Sequence, residues 1–292
     1  MSSPAEGVPQ GSAQAPIQDQ IEFWNDVAGR NWAARQETWD VTLAPIGDAA
    51  LERAGIATGQ WVIDIGCGAG ATTVELARRV GPQGRVLGID VSKPMLARAR
   101  ERTRDMPQVE MLEADAGAHI FESGRYDQLF SRLGVMFFPD PIKAFANLHA
   151  ALKPSGRLAF VCFRPPQLNP FFTVPLRAAT EFVPPPPKMG PEDPGPFAFA
   201  DDARVRRILD AAGFRDVRLE PVDLSLDVGS GKGLEEAMIN VTELGPASRV
   251  LRGQPADLVA KATAAIRKEL IAVEKDGQIL LDVALWVVTA RG

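Results

Sequence analysis

Three carboxylates and a glycine-rich turn carry most of the chemical signal in this chain of 292 residues. The turn is Gly66-Cys67-Gly68-Ala69-Gly70, and Asp64 stands two residues before it. Glycines at such spacing let the backbone approach a ligand closely, and a helix beginning there adds free N–H groups. A carboxylate at Asp64 suits a cationic, aminated ligand tail and would repel a phosphate. Asp90 follows about 20 residues past the turn, where a carboxylate accepts both hydroxyls of a ribose. Asp115, in Glu113-Ala114-Asp115-Ala116, can accept from an exocyclic amine such as that of adenine. The turn alone also satisfies the looser dinucleotide pattern G-x-G-x-x-A, ending at Ala71. Asp90 fits NAD equally well, so an NAD(P)-dependent oxidoreductase is a rival reading, opposed by Asp64 and Asp115.

The remaining candidates are fewer. The chain holds 2 histidines, His119 and His149. His119, four residues beyond Asp115, is the candidate general base, whereas His149 in FANLHAAL reads as a packing residue. Cys67 reads as a small residue that fits the turn, with no histidine beside it in sequence to activate a thiol. Arg98, Arg100, Arg102 and Arg104 spread around a helix and read as a solvated face. Trp24, Trp32 and Trp39 precede the first strand and serve either as packing anchors or as a lid.

These residues need a frame. Trp61–Ile65, Arg85–Ile89, Val109–Leu112, Tyr126–Ser131 and Arg157–Phe163 read as strands, and Ala71–Val80, Ser92–Thr103 and Asp140–Leu152 as helices. Near-continuous apolar strands alternating with helices indicate a parallel sheet covered on both faces. Gly29 and Pro45 should punctuate the N-terminal helices, and Pro154-Ser155-Gly156 should form a tight turn. Later, Pro175–Phe182 and Asp201–Ala212 read as helices and Val217–Leu226 and Ile279–Ala290 as strands. The alternation along Val222–Leu226 suits an antiparallel pair.

The segmentation that follows is a disordered tail over 1–17, a helical cap over 18–54 and a core over 55–163. A Pro-rich cap insertion covers 164–200, a core helix and strand 201–228, a helical insertion 229–276 and a final core strand 277–292. Composition is ordinary for a globular chain, at 46% hydrophobic and 24% charged. The net charge of −5 gives no electrostatic footprint for nucleic acid. Two cysteines imply no disulfide framework. The opening MSSPAEGVPQ lacks the features of a signal peptide, and no apolar run is long enough for a membrane span. A cytoplasmic protein is expected, monomer or homodimer.

The segments VIDIGCGAGATTVELA, GIDVSKPMLARAR, LEADA, YDQLFSRLGVMFF and LKPSGRLAFVCF, in that order, resemble the class I S-adenosylmethionine-dependent methyltransferases. They are similar to the branch holding the ubiquinone and menaquinone biosynthesis enzymes and many small-molecule methyltransferases. The resemblance runs over about 60–163, and more weakly over 196–214 and the final strand. It implies a doubly wound, Rossmann-like sheet of seven strands, mostly parallel, with the last inserted antiparallel and helical segments as a cap. It also implies S-adenosylmethionine as cofactor. Asp64, Gly66, Gly68 and Gly70 would line its methionine and ribose portion, and Asp90 would take the ribose hydroxyls. Val91 and Met95 would lie against adenine, Asp115 would accept from the adenine amine and Ala116 would offer backbone. Ser131 and Arg132 would lie under the methionine part, with Trp32 closing the site. Ser155 departs from the glycine usual in the family.

Methyl transfer from a sulfonium is an in-line displacement that chiefly needs alignment and exclusion of water. No metal is called for. The acceptor would be held by 18–54, 164–200 and 229–276, which with Phe137, Phe138, Phe163, Phe171, Phe172, Phe197 and Phe199 suggest an apolar pocket for a small organic molecule. A non-catalytic S-adenosylmethionine-binding protein is the other rival reading.

Overall fold

The computed structural model describes residues 21–22, 24–190 and 192–292. The tail expected over 1–17 lies outside them. Strands β1 (Trp61–Ile65), β2 (Arg85–Asp90), β3 (Val109–Glu113), β4 (Tyr126–Arg132) and β5 (Leu152–Phe163) are followed by β6 (Arg215–Asp227), β7 (Glu274–Lys275) and β8 (Gln278–Arg291). Their order is β3-β2-β1-β4-β5-β8-β6, with β7 paired to β8 off that path. β1 to β5 pair in parallel, and β8 enters antiparallel between β5 and β6. In β1, Val62, Ile63, Asp64 and Ile65 are all buried, as a strand covered on both faces requires. Strand order reverses between β1 and β4, and that switch opens a crevice at the carboxyl ends of the strands.

The helices are α1 (Val27–Ala34), α2 (Gln36–Ala54), α3 (Ala71–Val80), α4 (Lys93–Thr103), α5 (Pro141–Ala151), α6 (Pro170–Thr180), α7 (Asp202–Ala211), α8 (Leu234–Ile239), α9 (Ser248–Leu251) and α10 (Ala256–Ala272). Local chemistry sets several of their ends. Asp140 accepts from the Lys143 N–H with Pro141 in the first turn, and Asp201 accepts from the Ala203 N–H.

The N-terminal punctuation differs from expectation. Gly29 lies inside α1, the break falls at Arg35, and α2 runs through Pro45. Burial of Trp39, Leu43, Ile46, Ala50 and Leu51 along α2 offsets the cost of about 3 kcal/mol of a mid-helix proline. The Pro154-Ser155-Gly156 turn is absorbed into β5 as an irregularity. Tyr126 pairs with Leu152 and Gln128 with Arg157, so residues 153–156 bulge out of the ladder. β7 was not foreseen. Asp276 and Gly277, both at positive φ, supply its hairpin turn. Residues 114–125 connect β3 to β4 without a helix.

α2 packs across β5, β6 and β8. Phe145, Phe160 and Phe199 are fully buried neighbours, and Phe214 meets Phe145 edge-on at 6.1 Å. Phe163, Phe171, Phe172 and Phe197 form a second cluster. Most of the phenylalanines singled out from the sequence therefore fill the core and the first insertion.

Candidate active site

β1 delivers Asp64 to the crevice, and the chain then turns through Gly66, Gly68 and Gly70 at φ of 65°, 55° and 81°. All three are left-handed, a conformation that costs glycine little. A Cβ on Gly66 would lie 2.9 Å from Gly134 Cα, and one on Gly68 2.6 Å from Met95 Cε. Asp64 is fully buried. Its Oδ2 accepts from the hydroxyls of Thr72 at 2.8 Å and Thr73 at 2.6 Å. Its Oδ1 is buried with no hydrogen-bond partner. Burial raises its pKa to about 6, opposed by the two threonine bonds and by the charge of Arg132. Asp90 is raised for the same reason, while its Oδ1 and Oδ2 accept from the N–H groups of Ser92 and Gly68, each at 2.8 Å.

The end of β4 crosses this turn. Ser131 is fully buried; its hydroxyl donates to Ile65 O at 2.7 Å and accepts from Gly134 N at 3.2 Å. Leu133, at φ 63°, is one of few non-glycine residues in the left-handed region, at a cost of order 1–3 kcal/mol. That bend brings Gly134 against Gly66. Arg132 lies in the field of Asp40, Asp64 and Asp48, and burial lowers its pKa. Among the described residues it makes no hydrogen bond or ion pair, so a cation and the orphan oxygen of Asp64 share one crevice.

α2 is tied to the glycine turn from above. Arg102 donates to Ala69 O at 2.7 Å and pairs with Asp40 at 2.8 Å, and Gln36 also donates to Asp40. A Cβ on Gly47 would touch Arg132 Cδ at 3.5 Å, which places α2 over that side chain. The segment ahead of α1 is clamped to the β2–α4 junction. Asn25 donates to Val91 O at 2.8 Å and accepts from Lys93 N at 2.9 Å, while Ser92 donates to Trp24 O at 2.6 Å. A Cβ on Gly29 would stand 1.8 Å from Trp24 O, so only glycine fits that crossing. Trp24 meets Trp32 edge-on at 6.2 Å and Phe137 at 5.8 Å, and Trp32 stacks on Trp39 at 4.4 Å.

The structure thus brings Asp64, Gly66, Gly68, Gly70, Asp90, Met95, Ser131 and Arg132 around the turn, with Val91 at the clamp of Asn25. Asp115 follows β3 by two residues; its Oδ1 accepts from Gly117 N at 2.9 Å. Ala116 is buried, and its carbonyl accepts from Asn147 at 3.2 Å. His119, the candidate general base, lines an edge pocket of about 280 Å³ with Leu112, Phe121 and Tyr126. Its ring meets Phe121 edge-on at 4.7 Å. With no helix between β3 and β4, four residues beyond Asp115 are enough to leave the crevice. Another pocket, of about 550 Å³, opens between the α1–α2 turn and α8. Its charges satisfy one another, Arg35 pairing with Glu236 and Arg98 with Glu37.

Sequence reasoning missed Thr72, Thr73, Asn25 and the Asp40–Arg102 pair. The two threonines were findable, since hydroxyls one helical turn past a glycine loop can reach back to the strand end. The others are pairings distant in sequence and left no local signal.

A doubly wound sheet with an antiparallel insertion, and a crevice built of glycines and carboxylates at its switch point, define an enzyme class that binds nucleoside-type ligands. Residues 62–156 match a family model described as a methyltransferase domain. Demethylmenaquinone methyltransferase of Staphylococcus aureus (strain JH9) is 30% identical over 174 residues, 56% of this chain and 72% of that protein. Aklanonic acid methyltransferase DauC of Streptomyces sp. (strain C5) is 32% identical over 139 residues, 44% of this chain and 63% of its own. Phosphoethanolamine N-methyltransferase 2 of Haemonchus contortus, solved with S-adenosylmethionine, superposes on 84% of this chain with a TM-score of 0.51 at 20% identity, a likeness of fold. The chain spans about half of that protein, 51% of its length. The chain belongs to the class I S-adenosylmethionine-dependent methyltransferases. The crevice fits that cofactor: a buried carboxylate oxygen and a guanidinium, neither with a hydrogen-bond partner among the described residues, complement an amino-acid zwitterion.

Proposed function

We propose that this enzyme methylates a small, largely apolar organic acceptor, held between the N-terminal segment and the carboxyl ends of β4 and β5. In this reading Asp64 receives the cofactor's ammonium group and Arg132 its carboxylate. Asp90 takes the ribose hydroxyls through the lone pairs that Gly68 and Ser92 leave free. Val91 and Met95 flank the adenine, Asp115 accepts from its amine, and Trp32 closes the methionine end. When bound, the cofactor supplies an electrophilic methyl on a sulfonium, with a neutral thioether as leaving group. The chain's contribution is then alignment and exclusion of water. Ser131 holds the ends of β1 and β4 together, and the clamp of Asn25 on Val91 and Lys93 keeps the aromatic lid in place.

The observation that carries this reading is Asp64 Oδ1 and Arg132 beside the glycine turn, neither with a hydrogen-bond partner among the described residues. Demethylmenaquinone and aklanonic acid, which name two relatives, support a small-molecule acceptor. The net charge of −5 supports no nucleic-acid partner. No helix among the described residues is long and apolar enough to cross a membrane, and we place the enzyme in the cytoplasm, away from membranes. Calorimetric titration with S-adenosylmethionine tests the site. Binding should be lost in Arg132→Leu and Asp64→Ala proteins that keep their melting temperature within a few degrees. Unchanged binding in both would remove the assignment.

A further inference from the structure

Residues 192–197 form a strap along the acceptor side of the crevice. Gly195 is buried, and its N–H donates to Met136 O at 3.1 Å, inside the Val135–Phe137 turn that follows β4. Two residues on, Phe197 meets Phe163, the last residue of β5, with ring centroids 6.0 Å apart. The strap thus touches the carboxyl ends of both strands beside which the acceptor is placed. Beyond Phe197 the chain is anchored to the sheet, where Ala200 O accepts from the Trp286 indole N–H at 3.0 Å. Ahead of Gly195 the hold comes chiefly from Arg204 on α7. Its Nη1 pairs with Glu192 Oε1 at 2.5 Å, and its Nη2 donates to Glu192 O at 3.3 Å. Stability alone does not call for an arginine there. Arg204 is 8% exposed and shares the core-facing side of α7 with Val205, Ile208 and Leu209. Its Nε is buried without a hydrogen-bond partner. Arginine is seldom buried so deeply, and an apolar side chain of similar length would fill the space without desolvating a charge. Glu192 is 68% exposed, so a cation based in the core reaches out to catch a surface segment.

We propose that Arg204 is a positioning residue for methyl transfer: by holding Glu192 it seats the strap on Met136 O and so fixes the Val135–Phe137 turn at the crevice mouth. The proposal rests on the methyltransferase site described above and assigns it a support outside the glycine turn. The path from Arg204 to the site is short. Gly134, just before that turn, lies against Gly66, and Phe137, at its end, meets Trp24 of the N-terminal segment at 5.8 Å. A loosened strap therefore frees a turn that touches both the cofactor loop and the aromatic lid. Arg204 acts through these residues, not on the reacting atoms, and an alignment-driven reaction is sensitive to such support.

The test uses the full chain and two readouts. Pro194 and Pro196 carry no amide hydrogen, so the Gly195 N–H stands alone between them, and its hydrogen exchange, followed by NMR, reports the bond to Met136. Release of S-adenosylhomocysteine, followed by stopped-flow tryptophan fluorescence, reports the turn. Arg204→Met keeps the length and removes the guanidinium. It should speed Gly195 exchange about tenfold and S-adenosylhomocysteine release about fivefold, the scale of one lost charge-assisted hydrogen bond. Glu192→Ala leaves the core untouched and should act in the same direction, about threefold in each readout. The double variant should go no further than Arg204→Met alone, as for one coupled pair. Arg204→Lys, which restores the charge without the fork, should recover part of both effects. Arg207→Met removes a guanidinium 3.5 Å from Glu192 that is 63% exposed, and should move neither. Unchanged Gly195 exchange in both Arg204→Met and Glu192→Ala overturns the hold on the strap. Faster exchange with unchanged S-adenosylhomocysteine release makes Arg204 a purely structural residue and overturns its positioning role. Failure of S-adenosylhomocysteine to bind the unsubstituted chain is a different result: it overturns the cofactor site, and the role assigned to Arg204 falls with it.

Discussion

Asp64 should make cofactor affinity depend on pH around 6. Burial holds its carboxyl at a pKa of about 6, against an ordinary 3.8. A cationic ammonium needs the ionised form, and an α-amino group stays protonated below about 7.7. At pH 5 about one Asp64 in eleven is ionised, and at pH 7 about ten in eleven. Affinity for S-adenosylmethionine should therefore rise about tenfold between pH 5 and 7, or about 1.4 kcal/mol. The unliganded protein must respond with the opposite sign. A carboxyl with a raised folded pKa binds more protons folded than unfolded, so this group's contribution to stability is fully present below pH 3.8 and is lost as pH rises to about 6. The fall is at most about 3 kcal/mol for this group. Melting curves with and without saturating cofactor, taken every half unit from pH 5 to 7.5, should show a cofactor-induced shift that widens with pH. Thr73→Val removes a bond to the ionised carboxylate, so its affinity curve should move to higher pH. A pH-independent affinity, or one that strengthens on acidification, would refute a carboxylate–ammonium contact at Asp64.

Other outcomes follow from the same geometry. Gly68→Ala must place a Cβ 2.6 Å from Met95 Cε at a φ of 55°, so it should cost about 1–3 kcal/mol of stability, read from urea denaturation, and weaken cofactor binding. Asn25→Ala cuts two of the three links of the N-terminal segment to the β2–α4 junction, leaving Ser92 on Trp24 O. Its cofactor dissociation rate, followed by stopped-flow tryptophan fluorescence, should rise about five- to tenfold, as expected for one or two lost hydrogen bonds. His119→Ala, in the edge pocket with Phe121 and Tyr126, should leave kcat and its pH profile unchanged once an acceptor is in hand.

How much of this was legible beforehand depends on how far each cause reaches along the chain. The sheet was readable because burial on both faces writes itself as continuous apolar runs, and β1 to β5 fell within a residue or so of the expected limits except where β5 begins early at Leu152. The glycine turn was readable because positive φ and close approach act on single residues. The N-terminal helices were not. Gly29 is a glycine because Trp24 O crosses it, so a residue that looks like punctuation is a packing contact inside α1. Pro45 is tolerated because the far side of α2 is anchored on the sheet. The placement of His119 was hidden for a related reason. Its four-residue distance from Asp115 resembles proximity, but Asp115 O accepts from His119 N at 2.8 Å in a turn that carries the ring outward.

Arg132 and Asp64 show the deeper limit. Hydropathy ranks arginine and aspartate as exposed, and that label does not say whether a polar atom finds a partner once buried. That is decided by the geometry of a crevice assembled from β1, β4, α2 and the segment before α1, elements separated by tens of residues. Among the described residues, Asp64 Oδ1 and Arg132 have no hydrogen-bond partner, while Asp40 is paired with Arg102, Ser131 bonds Ile65 O and Asp90 accepts from two backbone N–H groups. A fold optimised only for stability would gain by pairing these groups or by replacing them with apolar ones of similar shape. A carboxylate and a guanidinium kept in one crevice instead describe the complement of a zwitterionic cofactor tail.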